Sequence, residues 1–277
     1  MIRIGLLFLC AAALFGASRL AVPAPAQRIV SLAPHATELL FAVGAGSRIV
    51  GTLDTSDWPV AAKAIPRVGD SRALDLERIV ALSPDLIVTW PWTAPAQVEL
   101  LRARGIEVFT ANPATIDGIA TDLVRLGTLT GDAAAGQREA DAFRARLMRL
   151  RARHAGATKV RVFYEIWDAP LYTIGGKHLI TQAMETCGAE NVFAALTLPA
   201  PAVDVEAVLA AKPDAIIGGA ERGMRPTWLD DWRRWKALPA VAGDHLYVVD
   251  ADLLHRPGPR FLDGVDALCA AIDAARR

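Results

Sequence analysis

No sign of charge is in excess in this sequence. Its 277 residues carry 30 acidic and 30 basic side chains, a formal net charge of +0. The basic field with which proteins hold nucleic acid is therefore absent. Charge runs are short, as in Arg233–Arg234, and read as solvated helix faces. Cysteine is scarce: there are 3, at Cys10, Cys187 and Cys269, with no histidine cluster nearby. That spacing gives no support to a thiolate zinc site. After residue 26 no stretch is long and apolar enough to span a bilayer. The G-x-S-x-G, H-E-x-x-H, S-x-x-K and phosphate-loop patterns are missing, and the Gly-x-Gly at 44–46 has no continuation. An exported hydrolase built on histidine and carboxylates is thus the weaker reading, and the chain is expected not to be an enzyme.

What is present is ample apolar material, 53% of residues, enough for a large core. The first 26 residues have a short basic start, the apolar run "IGLLFLCAAALFG" and a small-residue "APA" at 24–26. This is the layout of a secretory signal, with cleavage expected after Ala26. Leu9 before Cys10 is not the small residue that a lipid-anchor signal wants. The mature chain, 27–277, is expected to be exported. In an oxidising compartment Cys187 and Cys269 more often pair than stay free, two buried thiols being the alternative.

One phrase is written twice. Residues 74–87 read "LDLERIVALSPDLI" and residues 203–216 read "VDVEAVLAAKPDAI". Asp75 and Asp204 suit helix N-caps. Glu77 and Glu206 suit the first turn, where the helix dipole favours negative charge. Pro84–Asp85 and Pro213–Asp214 then end each helix before a strand. Local helix chemistry accounts for all of this without function. The other reading is that Glu77 and Glu206 offer one carboxylate per half to a two-fold symmetric partner.

Around these phrases short apolar runs alternate with helical ones, which implies parallel strands joined by crossover helices. The segment 131–156, with no internal proline and rich in Ala, Arg, Leu and Glu, predicts a helix of more than 20 residues. The expected fold is α/β: two Rossmann-like lobes, 27–130 and 158–277, joined by one long backbone helix, 131–157. Trp228, Trp232 and Trp235 have helical spacing and read as core. His35 reads as a capping or solvent-facing residue, His154 and His245 as surface residues. His178, with Gly175–Gly176 before it, stands where a loop enters a helix, a place suited to oxyanions or ligand amides.

The runs "RIVSLAPHATELLFAVGAG", "TSDWP", "LDLERIVALSPDLIVTW", "METCGAENVF", "WKALPAV" and "RPGPR" occur in order between residues 28 and 269. In these the chain resembles the periplasmic substrate-binding proteins of ABC importers for metal chelates, most closely the cobalamin-binding members. The resemblance implies a helical-backbone fold with the ligand in an inter-lobe cleft. It implies that Glu77 and Glu206 dock on arginines of an inner-membrane ABC permease, and that Cys187 and Cys269 form a disulfide. It carries ligand contacts onto Trp58, Trp90 and Thr55, and onto the loop Asp252, Leu253, Leu254, His255 and Arg256. The sequence departs from the resemblance at Thr55, Ser71 and Ala200, which stand where cleft aromatics are expected. Trp92, Trp167 and Tyr172 are candidate replacements. Haem or a ferric siderophore is the alternative ligand, with Tyr164 or Tyr172 for haem iron and Arg72, Arg222, Arg225 and Arg256 for an anionic chelate. A monomer with no cofactor or metal of its own is implied.

Overall fold

The computed structural model describes residues 24–221 and 223–277. Residues 1–23 of the expected signal, and Arg222, lie outside the described residues. Four short runs build the first sheet: β1 (Ile29–Leu32), β2 (Ile49–Thr52), β3 (Leu86–Thr89) and β4 (Glu107–Thr110). β1 and β3 are buried along their whole length. Strands covered on both faces read as continuous apolar runs, not alternating ones. The helices between them are α1 (Pro34–Ala42), α2 (Leu76–Ala81) and α3 (Pro95–Arg102), and all strand pairs are parallel, in the order β2-β1-β3-β4.

Two helices follow, α4 (Ile116–Leu129) and α5 (Ala133–Arg153). The sequence pattern predicts the second, and at 21 residues it is the length expected. The first is not singled out there, although Thr115 caps it by accepting from the Gly118 N–H and its apolar face is buried. The two cross closely: a Cβ on Gly127 would lie 2.8 Å from the Gly136 Cα, so only glycines allow this approach.

The second half repeats the plan. β5 (Val160–Glu165) is followed by a small hairpin, β6 (Trp167–Asp168) and β7 (Leu171–Tyr172). Then come α6 (Leu179–Thr186), β8 (Ala189–Asn191), α7 (Val205–Ala211), β9 (Ala215–Ala220), α8 (Thr227–Asp230), α9 (Pro239–Ala242), β10 (Leu246–Asp250), α10 (Ala251–Leu254) and α11 (Phe261–Ala275). The sheet order β8-β5-β9-β10 matches that of the first sheet strand for strand. β8 and the hairpin are too short to carry a legible pattern. The tryptophan run also departs from expectation: the helix tightens to a 3-10 turn at Asp231, so Trp232 is buried but Trp235 is 39% exposed. His154 is not on the surface. It is buried, with Nδ1 on the Leu150 carbonyl and Nε2 3.2 Å from Asp273.

The doubled phrase has a structural account. Asp75 accepts from the Arg78 N–H and Asp204 from the Ala207 N–H, capping α2 and α7. Each helix exits through a left-handed residue, Ser83 or Lys212, both at φ 46°. The Pro-Asp carboxylate then grips the start of the central strand. Asp85 accepts from the N–H groups of Gln27 (2.7 Å) and Arg28 (3.0 Å), and Asp214 from that of Arg161 (2.9 Å). The same arginines reach back, Arg28 to the Leu82 carbonyl and Arg161 to the Ala211 carbonyl, closing the helix C-termini. Glu77 and Glu206 take no part in these clasps.

Cys187 and Cys269 are bonded, tying the end of α6 to α11 across 82 residues of chain. Ala26 is buried; its N–H donates to the Leu129 carbonyl and its carbonyl accepts from Arg48. Cleavage after Ala26 would remove both contacts.

Replacing both cysteines by alanine should lower unfolding free energy by about 2–4 kcal/mol, as expected for a loop of this size. Asp214→Ala should cost about 1–2 kcal/mol, because the Arg161 N–H at the start of β5 loses its carboxylate acceptor. Denaturant unfolding under oxidising conditions checks both.

Candidate functional site

In parallel α/β sheets the loops leaving the strand carboxyl ends line the ligand crevice. Here those ends face each other across the two lobes. They enclose a cavity of about 440 Å³. From the first lobe come Trp90 and Trp92 after β3, and Asn112, Pro113 and Ala114 after β4. From the second come Ile166 after β5, Lys177, His178 and Leu179 at the start of α6, Leu254 at the end of α10, and His255 and Pro257 just beyond it.

Two histidines set the polarity of this space. His178 caps α6, its Nδ1 accepting from the Ile180 N–H at 3.1 Å. Burial, and secondly the neighbouring His255, lower its pKa to about 4, so it is neutral at ordinary pH. With Nδ1 an acceptor, the ring proton sits on Nε2, a donor. His255 meets the Tyr164 hydroxyl at 3.0 Å through Nε2. Burial lowers the His255 pKa and raises that of Tyr164. Tyr164 therefore keeps its proton, and the contact joins a neutral hydroxyl to a neutral imidazole.

His35 neither caps a helix nor faces solvent. It is buried, held neutral by desolvation with a pKa of about 4, and its ring stands edge-on to Trp90 at 5.4 Å between centroids. Its Nε2 lies 3.4 Å from the Ala111 carbonyl. His35 thus backs Trp90 from within the lobe.

Below the cavity an ionic cluster joins the halves. Glu38, buried on α1, receives both guanidinium nitrogens of Arg260, at 2.6 and 2.9 Å. Burial pushes the Glu38 carboxyl up, and Arg260 and then Arg256 pull it back. The bidentate fork keeps the pair ionic. Arg256 binds Asp57 at 2.6 Å and Asp252 at 2.8 Å, and lies 3.8 Å from Glu38. Against a desolvation cost, the Arg256 bond and charge hold Asp57 below the usual carboxylate range. Arg260 also covers the Trp58 ring at 4.6 Å.

The expected ligand set therefore divides. Trp90, Leu254 and His255 line the cavity. Asp252 and Arg256 stand in the ionic cluster, Trp58 lies against Arg260, and Thr55 is exposed on the turn beside Asp57. Leu253 does not reach the lining. Of the candidate replacement aromatics only Trp92 lines the cavity. Trp167 and Tyr172 pair with each other across the β6–β7 hairpin. Tyr164, buried beneath His255, is not open to an iron. Among the described arginines proposed for a chelate, Arg225 is tied to Asp230 and Arg256 to Asp57, and Arg72 is exposed outside the lining. The N–H groups of Gly175 and Gly176 are taken by the Pro199 and Leu196 carbonyls, so they hold no oxyanion. His245 is half-buried, with Nδ1 on the Asp214 carbonyl. Sequence reasoning missed Asn112 and Lys177. Their signal was position alone, directly after a strand and directly before a helix. Glu77 and Glu206 are exposed in the first turns of α2 and α7. Among the described residues no group of three or more His, Cys, Asp or Glu is placed to hold a metal ion.

The profile of the family described as "Periplasmic binding protein" matches residues 29–253. The vitamin B12-binding protein of Vibrio cholerae is 36% identical over 262 residues, 94% of each chain. The crystal structure of that organism's periplasmic vitamin B12-binding protein superposes with a TM-score of 0.83 at 34% identity, covering 91% of this chain and 99% of the other. A periplasmic heme-binding protein from Pseudomonas aeruginosa gives 0.73 at 28%, covering 89% and 92%. Two matched parallel sheets, a cavity at their facing carboxyl ends and a profile spanning both halves agree: the chain belongs to the periplasmic binding protein family.

Proposed function

We propose that this protein captures cobalamin in the periplasm and delivers it to an inner-membrane ABC permease. The observation that carries this is the inter-lobe cavity with indole walls, two neutral histidines and one lysine, in a chain 36% identical across nearly its whole length to a vitamin B12-binding protein. Binding needs no covalent step. Trp90 and Trp92 offer aromatic area to a flat macrocycle. The Nε2–H of His178 offers a hydrogen bond to a carbonyl at the macrocycle rim, and Asn112 and Lys177 add polar groups at the mouth. A donor fixed by its own cap costs little to organise.

The segment 1–26 serves as the export signal in this reading, and the protein acts as a monomer. Its lobes are taken as 27–130 and 158–277 about the connecting helix 131–157. Glu77 and Glu206 are the docking acids, one per lobe. Their support is equivalence: each follows a capping aspartate in the same turn of matched helices, and neither contributes to the clasps that explain the rest of the phrase.

Calorimetry with cobalamin, cobinamide and haem should give tight binding of cobalamin; tight binding of haem alone would overturn the ligand assignment. Trp90→Ala should weaken cobalamin at least tenfold, the loss of one stacked indole. Glu77→Ala combined with Glu206→Ala should leave that affinity intact and abolish permease-stimulated uptake. The histidines fix a pH signature. His35 and His178 are neutral in the fold with pKa values of about 4, against 6.5 when unfolded. At these two sites the unfolded chain binds more protons between those values, so their stabilisation is full above pH 6.5 and is lost as pH drops to 4. Asp122 and Glu165, pushed up by burial to about 6 and about 8, act in the opposite sense, so the loss should appear as a narrowing stability gap between the wild type and His178→Gln. Thermal melts across that range measure it. Cobalamin affinity should stay flat between pH 6.5 and 8, because neither cavity histidine titrates there.

A further inference from the structure

Successive residues of a strand point to opposite faces. At the end of β5, Tyr164 and Ile166 face the inter-lobe cavity, whereas Phe163 and Glu165 face the other side of the sheet. On that far side a separate recess of about 210 Å³ opens between the β6–β7 hairpin, the start of α7 and the turn after α8. Three indoles line it, Trp228, Trp232 and Trp235, together with the carboxylates Glu165, Asp168 and Asp231.

Glu165 is 1% exposed. One oxygen accepts from the Trp232 Nε1 at 2.7 Å, and Trp232 is itself fixed edge-on to Phe163 at 5.6 Å. Among the described residues no cation pairs with Glu165. Arg234, on the rim, is committed to Asp231 through its side chain (3.1 Å) and to the Asp231 carbonyl. Asp168 has no ionic partner among the described residues either. An ionised buried acid without a counter-charge, beside two more carboxylates, is costly, so the group stays neutral unless a positive group enters. Burial, then the charges of Asp168 and Asp231, push Glu165 up to about 8, with the Trp232 bond opposing. Its carboxyl thus waits protonated at neutral pH.

We propose that this recess is a second binding site, separate from the cleft, for an organic cation with an alkylammonium or guanidinium head. The indoles supply cation–π attraction and the carboxylates the counter-charge. Entry of the cation ionises Glu165 and releases its proton to solvent. The cation is either a free small molecule or a side chain of a docked partner; Val205, at the recess edge, directly precedes Glu206.

Choline and methylguanidinium chlorides, titrated into the intact protein, should each give a saturable change in tryptophan fluorescence. The uncharged analogue 3,3-dimethyl-1-butanol should bind at least about tenfold more weakly. Cation affinity should rise from pH 6.5 to 9, with proton release seen by calorimetry in buffers of different ionisation heat. Glu165→Gln, which retains an acceptor for Trp232, should weaken both cations and remove the pH dependence without altering cobalamin affinity. Loss of permease-stimulated uptake in Glu165→Gln would assign the cation to a partner side chain, and unchanged uptake to a free molecule. Equal binding of the uncharged analogue, or no saturable response to either cation, would overturn the proposal. Neither result bears on the cobalamin assignment, which rests on the cleft.

Discussion

A buried carboxylate joins the two halves of this protein. Glu38 on α1 is 4% exposed and receives a bidentate guanidinium from Arg260, 222 residues away in sequence. A charge out of water is tolerable only with partners this close, and removing one partner strands the other. Arg256 extends the cluster to Asp57 and Asp252. The loop "HRPGPR" is therefore pinned to the first lobe while its neighbours α10 and α11 belong to the second. That pinning sets how the strand ends face each other, and so sets the cavity between them.

Above the cluster the chemistry is quiet. The described side chains around the cavity include no carboxylate, and its two histidines are neutral. Each ring has one nitrogen committed within the protein, His178 to the Ile180 N–H, which leaves its proton on Nε2, and His255 to the Tyr164 hydroxyl. Such a site holds a guest by area and fixed dipoles, and its character changes little near neutral pH. Trp90 is braced by His35, so its indole is presented without much loss of rotamer freedom on binding.

Much of the plan was legible in the chain. Parallel strands, the 21-residue helix and the doubled cap-and-exit phrase all follow from local pattern, because capping and strand burial are near-neighbour effects. Less legible was α4, whose Thr115 cap and apolar face went unnoticed beside the longer helix. The three-residue β8 and the two-residue hairpin strands were too short for any period to register. His35 and His154 read as outer residues because one histidine in a sequence carries no sign of burial. The site was half legible. Trp90 and His255 could be placed by resemblance, but Arg256, Asp252 and Trp58 were drawn into the ionic cluster by residues far away in the chain.

The sequence by itself determined the parallel α/β halves, the N-caps at Asp75 and Asp204 and the exposed acids that follow them, since each depends on residues within one turn. Tertiary structure alone decided that Asp85 and Asp214 clasp the central strands, that His255 meets Tyr164, and that three tryptophans and Glu165 share a recess behind the cleft. The clasps join residues 53 to 58 apart in sequence, and the His255–Tyr164 contact residues 91 apart. Only the close packing of the folded chain brings such groups within hydrogen-bonding range and out of water.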